Sequence, residues 1–189
     1  CGRYEVRGQY GQKKEDYFKL RDDILELHLK GLYYELGDLK RGAEGNTRAI
    51  FEIDGRPTVG MQRALYSHQL ALFWASFFDA LGYRVVLTRK TNDRISKLGI
   101  ESMTTETCFP VKVSHGHVID LRGKTQYLFL PNIIDLPSQV EEKNNFYCPL
   151  VQGNQYMLKT ALGLKESEIL NPTVHLKYSP DLLSLELHQ

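Results

Sequence analysis

Hydrophobic positions along this chain change rhythm repeatedly, from short unbroken runs to stretches where they recur every third or fourth residue. Unbroken runs suit strands buried on both faces, and the longer spacing suits helices that bury one side. Thr58-Val59-Gly60-Met61, just after Pro57, reads as a first buried strand, and Tyr66 to Leu81 as a helix that Gly82 stops. Tyr83 to Thr88 is a second strand. Asn92 or Asp93 caps a short helix through Leu98, Gly99 ends it, and Ile100 to Met103 is a brief third strand. Pro110 suits the first turn of a helix that continues from Val111 to Leu121. Gln126 to Leu130 is a fourth strand, closed by Pro131. After the polar loop from Pro137 to Asn145, Asn145 to Tyr147 is strand-like, Asn154 or Gln155 through Leu162 is helical, and Thr173 to Lys177 is a last strand.

Upstream of Pro57 the signals are sparser. Residues 1 to 13 are rich in Gly, Arg, Gln and Tyr without periodicity and read as a linker. From Lys14 to Leu39, apolar residues at Phe18, Ile24, Leu25, Leu29, Leu32, Leu36 and Leu39 approximate helical spacing, giving one or two helices with Gly31 as the break. Gly37, Gly42, Gly45 and Asn46 then signal a loop. Strands alternating with helices imply a parallel sheet with right-handed crossovers. The expected fold is therefore α/β, a three-layer open parallel sheet of Rossmann-like type with an N-terminal helical extension. Residues 1–55 form the linker and helical extension, and 56–189 the α/β domain.

Charge narrows the function classes. Lys and Arg number 24 against 23 Asp and Glu, mixed along the chain without a basic block, so neither a nucleic-acid groove nor an anionic membrane surface is expected. The longest apolar stretch, Leu70 to Phe78, is interrupted by Ser76 and falls short of the roughly 20 residues a membrane span requires. No signal-peptide pattern is present, and the expected location is the cytoplasm. Three cysteines, 107 and 40 residues apart, do not make a secreted disulfide framework. In a reducing compartment they are thiols or metal ligands. The chain starts at Cys1 and ends at Leu187-His188-Gln189 inside a helical pattern, which reads as a piece of a longer polypeptide.

Two of those cysteines carry the candidate chemistry. Cys108 sits in Glu106-Thr107-Cys108-Phe109-Pro110 and Cys148 in Phe146-Tyr147-Cys148-Pro149, each where a strand or loop hands over to a helix. In open α/β sheets ligands bind at that edge. A lone cysteine is commonly a small buried hydrophobe. Two at equivalent junctions beside proline equally fit thiolates presented to a metal or cluster, although two thiolates do not complete a site. Lys112 lies one turn past Cys108, where a cation would stabilise a thiolate, or it is a solvated helix lysine. His115 and His117 form a His-Gly-His whose spacing puts the rings on different helix faces, which argues against a two-histidine metal clamp. One ring is expected exposed and the other bonded locally. The hydroxyl-rich Thr104-Thr105-Glu106-Thr107 either donates to a cluster sulfur or caps the next helix. Tyr66, His68, Phe73 and Trp74 read mostly as core. No glycine-rich phosphate loop and no Gly-x-Ser-x-Gly elbow occurs, so this chain has no nucleotide site and is not an α/β hydrolase by those criteria.

Longer runs add a resemblance. Pro57-Thr58-Val59-Gly60-Met61-Gln62-Arg63-Ala64-Leu65, Phe73-Trp74 with Phe77-Phe78, and Leu81-Gly82-Tyr83-Arg84-Val85-Val86-Leu87 precede Gly99-Ile100-Glu101 and Glu106-Thr107-Cys108-Phe109-Pro110-Val111-Lys112 with His115-Gly116-His117. Over roughly residues 56 to 180 the chain resembles the uncharacterised domain of large CoA-substrate-specific enzyme activases, relatives of the 2-hydroxyacyl-CoA dehydratase system of anaerobes. The resemblance implies a dehydratase-like part of an ATP-dependent, oxygen-sensitive electron-transfer system. Its partners would be actin-like ATPase activase modules of the same polypeptide and a dehydratase-type component. It carries Cys108 and Cys148 over as iron–sulfur cluster ligands, with Thr107, Lys112 and His115 around them. A third ligand is missing where Pro131-Asn132 ends a strand, and Cys1 lies in the extension. No independent turnover is expected of this chain. Two other readings stand beside it: a cluster-free interaction scaffold between activase and dehydratase modules, and a small-molecule or acyl-CoA pocket at the sheet edge.

Overall fold

The structure is a computed structural model that describes residues 16–37, 50–103, 105–137 and 145–188. In chain order, α1 (Tyr17–Leu29) leads to β1 (Tyr33–Glu35), and β2 (Glu52–Ile53) turns into β3 (Arg56–Met61). Next come α2 (Ser67–Ala80), β4 (Arg84–Leu87), α3 (Asp93–Ser102), α4 (Phe109–Leu121) and β5 (Tyr127–Phe129). The remainder is β6 (Asn132–Asp135), α5 (Pro149–Gln152), α6 (Asn154–Leu162), β7 (Ile169–Leu170), β8 (Thr173–His175) and α7 (Pro180–Leu187).

The main sheet has the order β1-β4-β3-β5-β7, with every neighbouring pair parallel and β2 added antiparallel to the start of β3. Alternate side chains sort onto the two faces. Val59, Met61, Val85, Leu87 and Phe129 join the α2 residues Ala71, Trp74, Ala75 and Phe78 in one core. Val86 and Leu128 join Val118 and Leu121 of α4 and Leu158 of α6 in the other. This period-two division of nearly continuous apolar strands gives the three layers expected from sequence. The Trp74 ring makes edge contacts at 4.7 Å to both Phe73 and Phe129.

After β3 the chain crosses through α2 to β4 on one side, then returns through α3 and α4 to β5 on the other side. The crevice at the carboxyl ends of β3 and β5 is thus the topological switch point, where doubly wound sheets bind ligands. Above it the β5–β7 pair continues into β6–β8. Leu130 N donates to the Leu170 carbonyl at 2.8 Å, and Asn132 N to the Pro172 carbonyl at 2.9 Å.

Several local expectations are corrected. The helical spacing read over Lys14–Leu39 holds only to Leu29; beyond the Gly31 break, Tyr33–Glu35 is an edge strand paired with Val85–Leu87. Pairing with a strong buried neighbour overrides local spacing there. Ile100–Met103 is not a strand, because α3 continues through Ser102 and Gly99 lies inside it. Asn92 does cap α3, its side chain accepting from Ile95 N at 3.1 Å. Pro131-Asn132 is a bend between two strands rather than an end, and β6, β7 and α5 were not foreseen. Residues 1 to 13, Gly42, Gly45 and Asn46 lie outside the described residues.

Gly99 is not a stop because it is a contact. α3 and α4 pack antiparallel with backbones touching: a Cβ on Gly99 would lie 1.9 Å from the Lys112 carbonyl oxygen, and one on Gly116 would lie 1.9 Å from that of Ile95. Neither neighbour is a side chain that could swing away. Gly99→Ala and Gly116→Ala are each expected to destabilise the fold by at least about 2 kcal/mol in urea unfolding. The double variant should cost less than the sum, because both residues serve one crossing.

Candidate functional site at the sheet switch point

Gln62, the first residue beyond β3, stands at the switch point and is buried. It anchors a chain of four buried polar side chains. Asn154 Nδ2 donates to Ser114 Oγ at 2.8 Å, Ser114 Oγ donates to Gln62 Oε1 at 2.5 Å, and Gln62 Nε2 donates to the Tyr66 hydroxyl at 3.2 Å. Burial holds the Tyr66 phenol well above its ordinary range, so it stays protonated. The chain ties β3, the start of α2, α4 and α6 to one point.

Both cysteines stand above that point. Cys108 is the N-cap of α4, six residues before Ser114, and Cys148 is the N-cap of α5, six residues before Asn154. The two connections are built alike: the Cys108 carbonyl accepts from Val111 N and Lys112 N at 3.1 and 3.2 Å, and the Cys148 carbonyl accepts from Val151 N and Gln152 N at 2.8 and 3.0 Å. Because Ser114 and Asn154 are bonded and both segments descend toward the next strand, the thiols share the carboxyl side of the sheet. Six residues of helix rise about 9 Å, which sets the height of Cys108 above Ser114. Both cysteines are exposed, so the buried-hydrophobe reading is corrected. Apolar side chains flank them: Phe109 beside Cys108, and Phe146 and Leu150 beside Cys148, are all exposed.

The neighbours expected around the thiols divide. Thr107 Oγ1 is buried without a partner among the described residues, immediately before Cys108. No side chain caps α4, so the threonines do not serve as its cap; Thr104 lies outside the described residues. Lys112 Nζ pairs with Glu106 Oε2 at 2.9 Å, which places its charge beside the same turn. His115 is not brought to the thiols. Its ring is fully buried, two helical turns or about 10 Å beyond Cys108, with neither nitrogen bonded among the described residues. The expectation that one of the two histidines is exposed fails for both. His117 is also buried, its Nε2 3.0 Å from Thr91 Oγ1. Sequence reasoning missed Gln62, Ser114 and Asn154, which carry no motif individually.

No group of three or more His, Cys, Asp or Glu side chains among the described residues is placed to hold a metal ion. No helix among them is long and apolar enough to cross a membrane. The family model for the CoA enzyme activase uncharacterised domain matches residues 58–189. No curated protein and no solved structure matches the chain.

Buried histidines give the site a pH signature. Burial pushes the His117 ring down from its ordinary value of 6.5 to about 4, only partly opposed by the Asp120 carboxylate. Burial lowers His68 and His115 in the same direction. These rings are neutral when folded and take up protons when unfolded, so the unfolded chain binds more protons between pH 6.5 and about 4. Stability is therefore complete above pH 6.5 and falls as pH drops through that window. The urea midpoint is expected to fall between pH 7.5 and 5, and to fall less steeply in His117→Gln. An equal pH slope in the variant would show that other groups set the dependence.

Proposed function

Because the chain belongs to the CoA enzyme activase uncharacterised-domain family, we propose that it is a dehydratase-like domain of an ATP-dependent activase system. Cys108 and Cys148 would help hold an iron–sulfur cluster for low-potential electron transfer. One observation carries the reading: two exposed cysteines occupy equivalent helix N-caps on the carboxyl side of one parallel sheet. Exposed thiols at these positions are open to a metal or cluster delivered from outside the chain. The unpartnered Thr107 hydroxyl stands beside Cys108, where it would donate to an anionic group, and Lys112 is paired with Glu106 on the same turn. His115, deeper in α4, would act only through packing.

The residues present fit part of such a centre. A cluster needs more than two ligands, and the rest must come from outside the described residues; Cys1 is one source and another module is a second. Asn132, at the β5–β6 bend, does not supply a thiolate. Its amide nitrogen is instead 3.4 Å from Thr173 Oγ1. Bound there, the cluster would supply one-electron chemistry, while this chain supplies ligation and position above the Gln62–Ser114–Asn154 network. ATP hydrolysis belongs to actin-like activase modules of the same polypeptide, and the system works in the cytoplasm, where thiols stay reduced.

Iron and acid-labile sulfide, measured on the anaerobically purified polypeptide that carries this domain, test the assignment. Cys108→Ser and Cys148→Ser are each expected to lower bound iron while circular dichroism is unchanged. Iron that stays at the wild-type level in both variants would overturn the ligand assignment and leave the interaction scaffold as the function.

A further inference from the structure

A cavity of about 500 Å³ opens on the α2 side of the sheet, between the end of α2, the β5–β7 edge and α7. Much of its wall is aromatic: Phe77 and Phe78 of α2, Tyr83 before β4, and Phe129 of β5. Phe78 meets Phe129 edge to face at 4.9 Å and Tyr83 at 6.1 Å, so the rings form one continuous surface. Leu81, Leu170 and Leu187 add aliphatic contacts. Both helical walls are held by polar contacts. Asp79, near the end of α2, takes Arg56 at 2.9 Å and Arg84 at 3.2 Å. On α7, Glu186 accepts from His175 N at 2.8 Å and stands 2.7 Å from His175 Nδ1, while Tyr178 stacks on the His175 ring at 4.7 Å. These contacts fix α2 and α7 on the sheet, so the cavity is built into the fold rather than left by a loosely docked helix.

We propose that this cavity binds a small, uncharged, fused-ring aromatic molecule. Size sets the scale, since ligand sites span roughly 300–1,000 Å³ and a cavity of about 150 Å³ holds a single benzene. Ring chemistry sets the class. The wall offers both faces and edges to a planar ligand, and such ring pairs gain more than area burial alone. Charge sets the limit. Among the described residues that line the cavity Glu186 is the one charged side chain, and both its oxygens are engaged by His175. No Lys or Arg is among them, so a carboxylate or phosphate would meet a carboxylate and find no cation. Asn171 and Thr173 supply the neutral polar contacts that orient an uncharged hydroxyl or amide. None of these residues belongs to the Gln62–Ser114–Asn154 network or flanks a cysteine, so occupancy requires neither thiol nor cluster.

Titration calorimetry on the whole chain at neutral pH tests the site with three related probes: 2-naphthol, its anionic counterpart 2-naphthoate and its saturated counterpart decahydro-2-naphthol. The wild type is expected to bind 2-naphthol saturably and about tenfold more tightly than either counterpart. Leu81→Trp and Thr173→Trp each bring an indole into the cavity from an exposed position, where the fold tolerates the larger side chain. Each should weaken 2-naphthol about tenfold with unchanged circular dichroism. A wild type that takes up no 2-naphthol, or an affinity unchanged in both tryptophan variants, overturns the site. Equal affinity for 2-naphthoate overturns the charge limit, and equal affinity for decahydro-2-naphthol overturns the aromatic class.

Discussion

Everything at the carboxyl edge of this sheet depends on how closely α3 and α4 approach. With Gly99 against the Lys112 carbonyl and Gly116 against that of Ile95, the two backbones meet with no side chain between them. Such a contact fixes the axial position of α4 as well as its distance, since any slide along the axis puts a Cβ where only glycine fits. The Arg94 guanidinium, 2.8 Å from the buried Asp120 carboxylate, ties the other end of the same helix pair. Asp120 also takes Lys124 at 3.1 Å. Burial would push its carboxyl up, but these two cations outweigh it and hold it below the ordinary value. α4 is therefore positioned like a piston with two stops. Its N-cap Cys108 and its Ser114 take their heights from those stops.

Ser114 converts that placement into a polar core. A buried amide or hydroxyl left without a partner costs about 1–3 kcal/mol, so the Asn154–Ser114–Gln62–Tyr66 chain is stable only when all four elements are in register. Apolar packing would tolerate a shift of α6 along α4, and a directional network does not. The consequence reaches Cys148. Its place relative to Cys108 is set through Asn154, six residues down the chain.

Much of this was legible in the sequence, and the failures have physical causes. The central strands and α2, α4 and α6 were readable because continuous apolar runs and the three-to-four spacing are local signals. Gly99 misled because a glycine that ends a helix and one that lets two helices touch look identical in sequence; only the partner, 17 residues on at Gly116, separates them. β1 misled because Leu32 and Leu36 fit helical spacing, while the pairing that makes the segment a strand comes from Val85–Leu87, some 50 residues away. At the site, the cysteines were visible as chemistry beside proline, and their equivalence as N-caps followed. The network beneath them was not visible: Gln62, Ser114 and Asn154 are ordinary polar residues whose meaning lies wholly in contacts across 40 and 52 residues. His115 was placed near the thiols by sequence proximity, and helical rise carries it away from them.

The Cys148 segment bridges the two faces of the sheet. α4, which carries Cys108, covers the face that buries Val86 and Leu128. Tyr147 and Val151, next to Cys148, pack instead against the core around α2, and the Tyr147 hydroxyl donates to Gln69 Oε1 at 2.8 Å. Asn154 then ties the same segment back to Ser114 of α4. The position of Cys148 therefore depends on both helical layers, while Cys108 takes its height from α4 and its contact with α3. A shift of α2 against α4 would change the spacing of the two cysteines, so the packing of both layers on the sheet fixes that spacing.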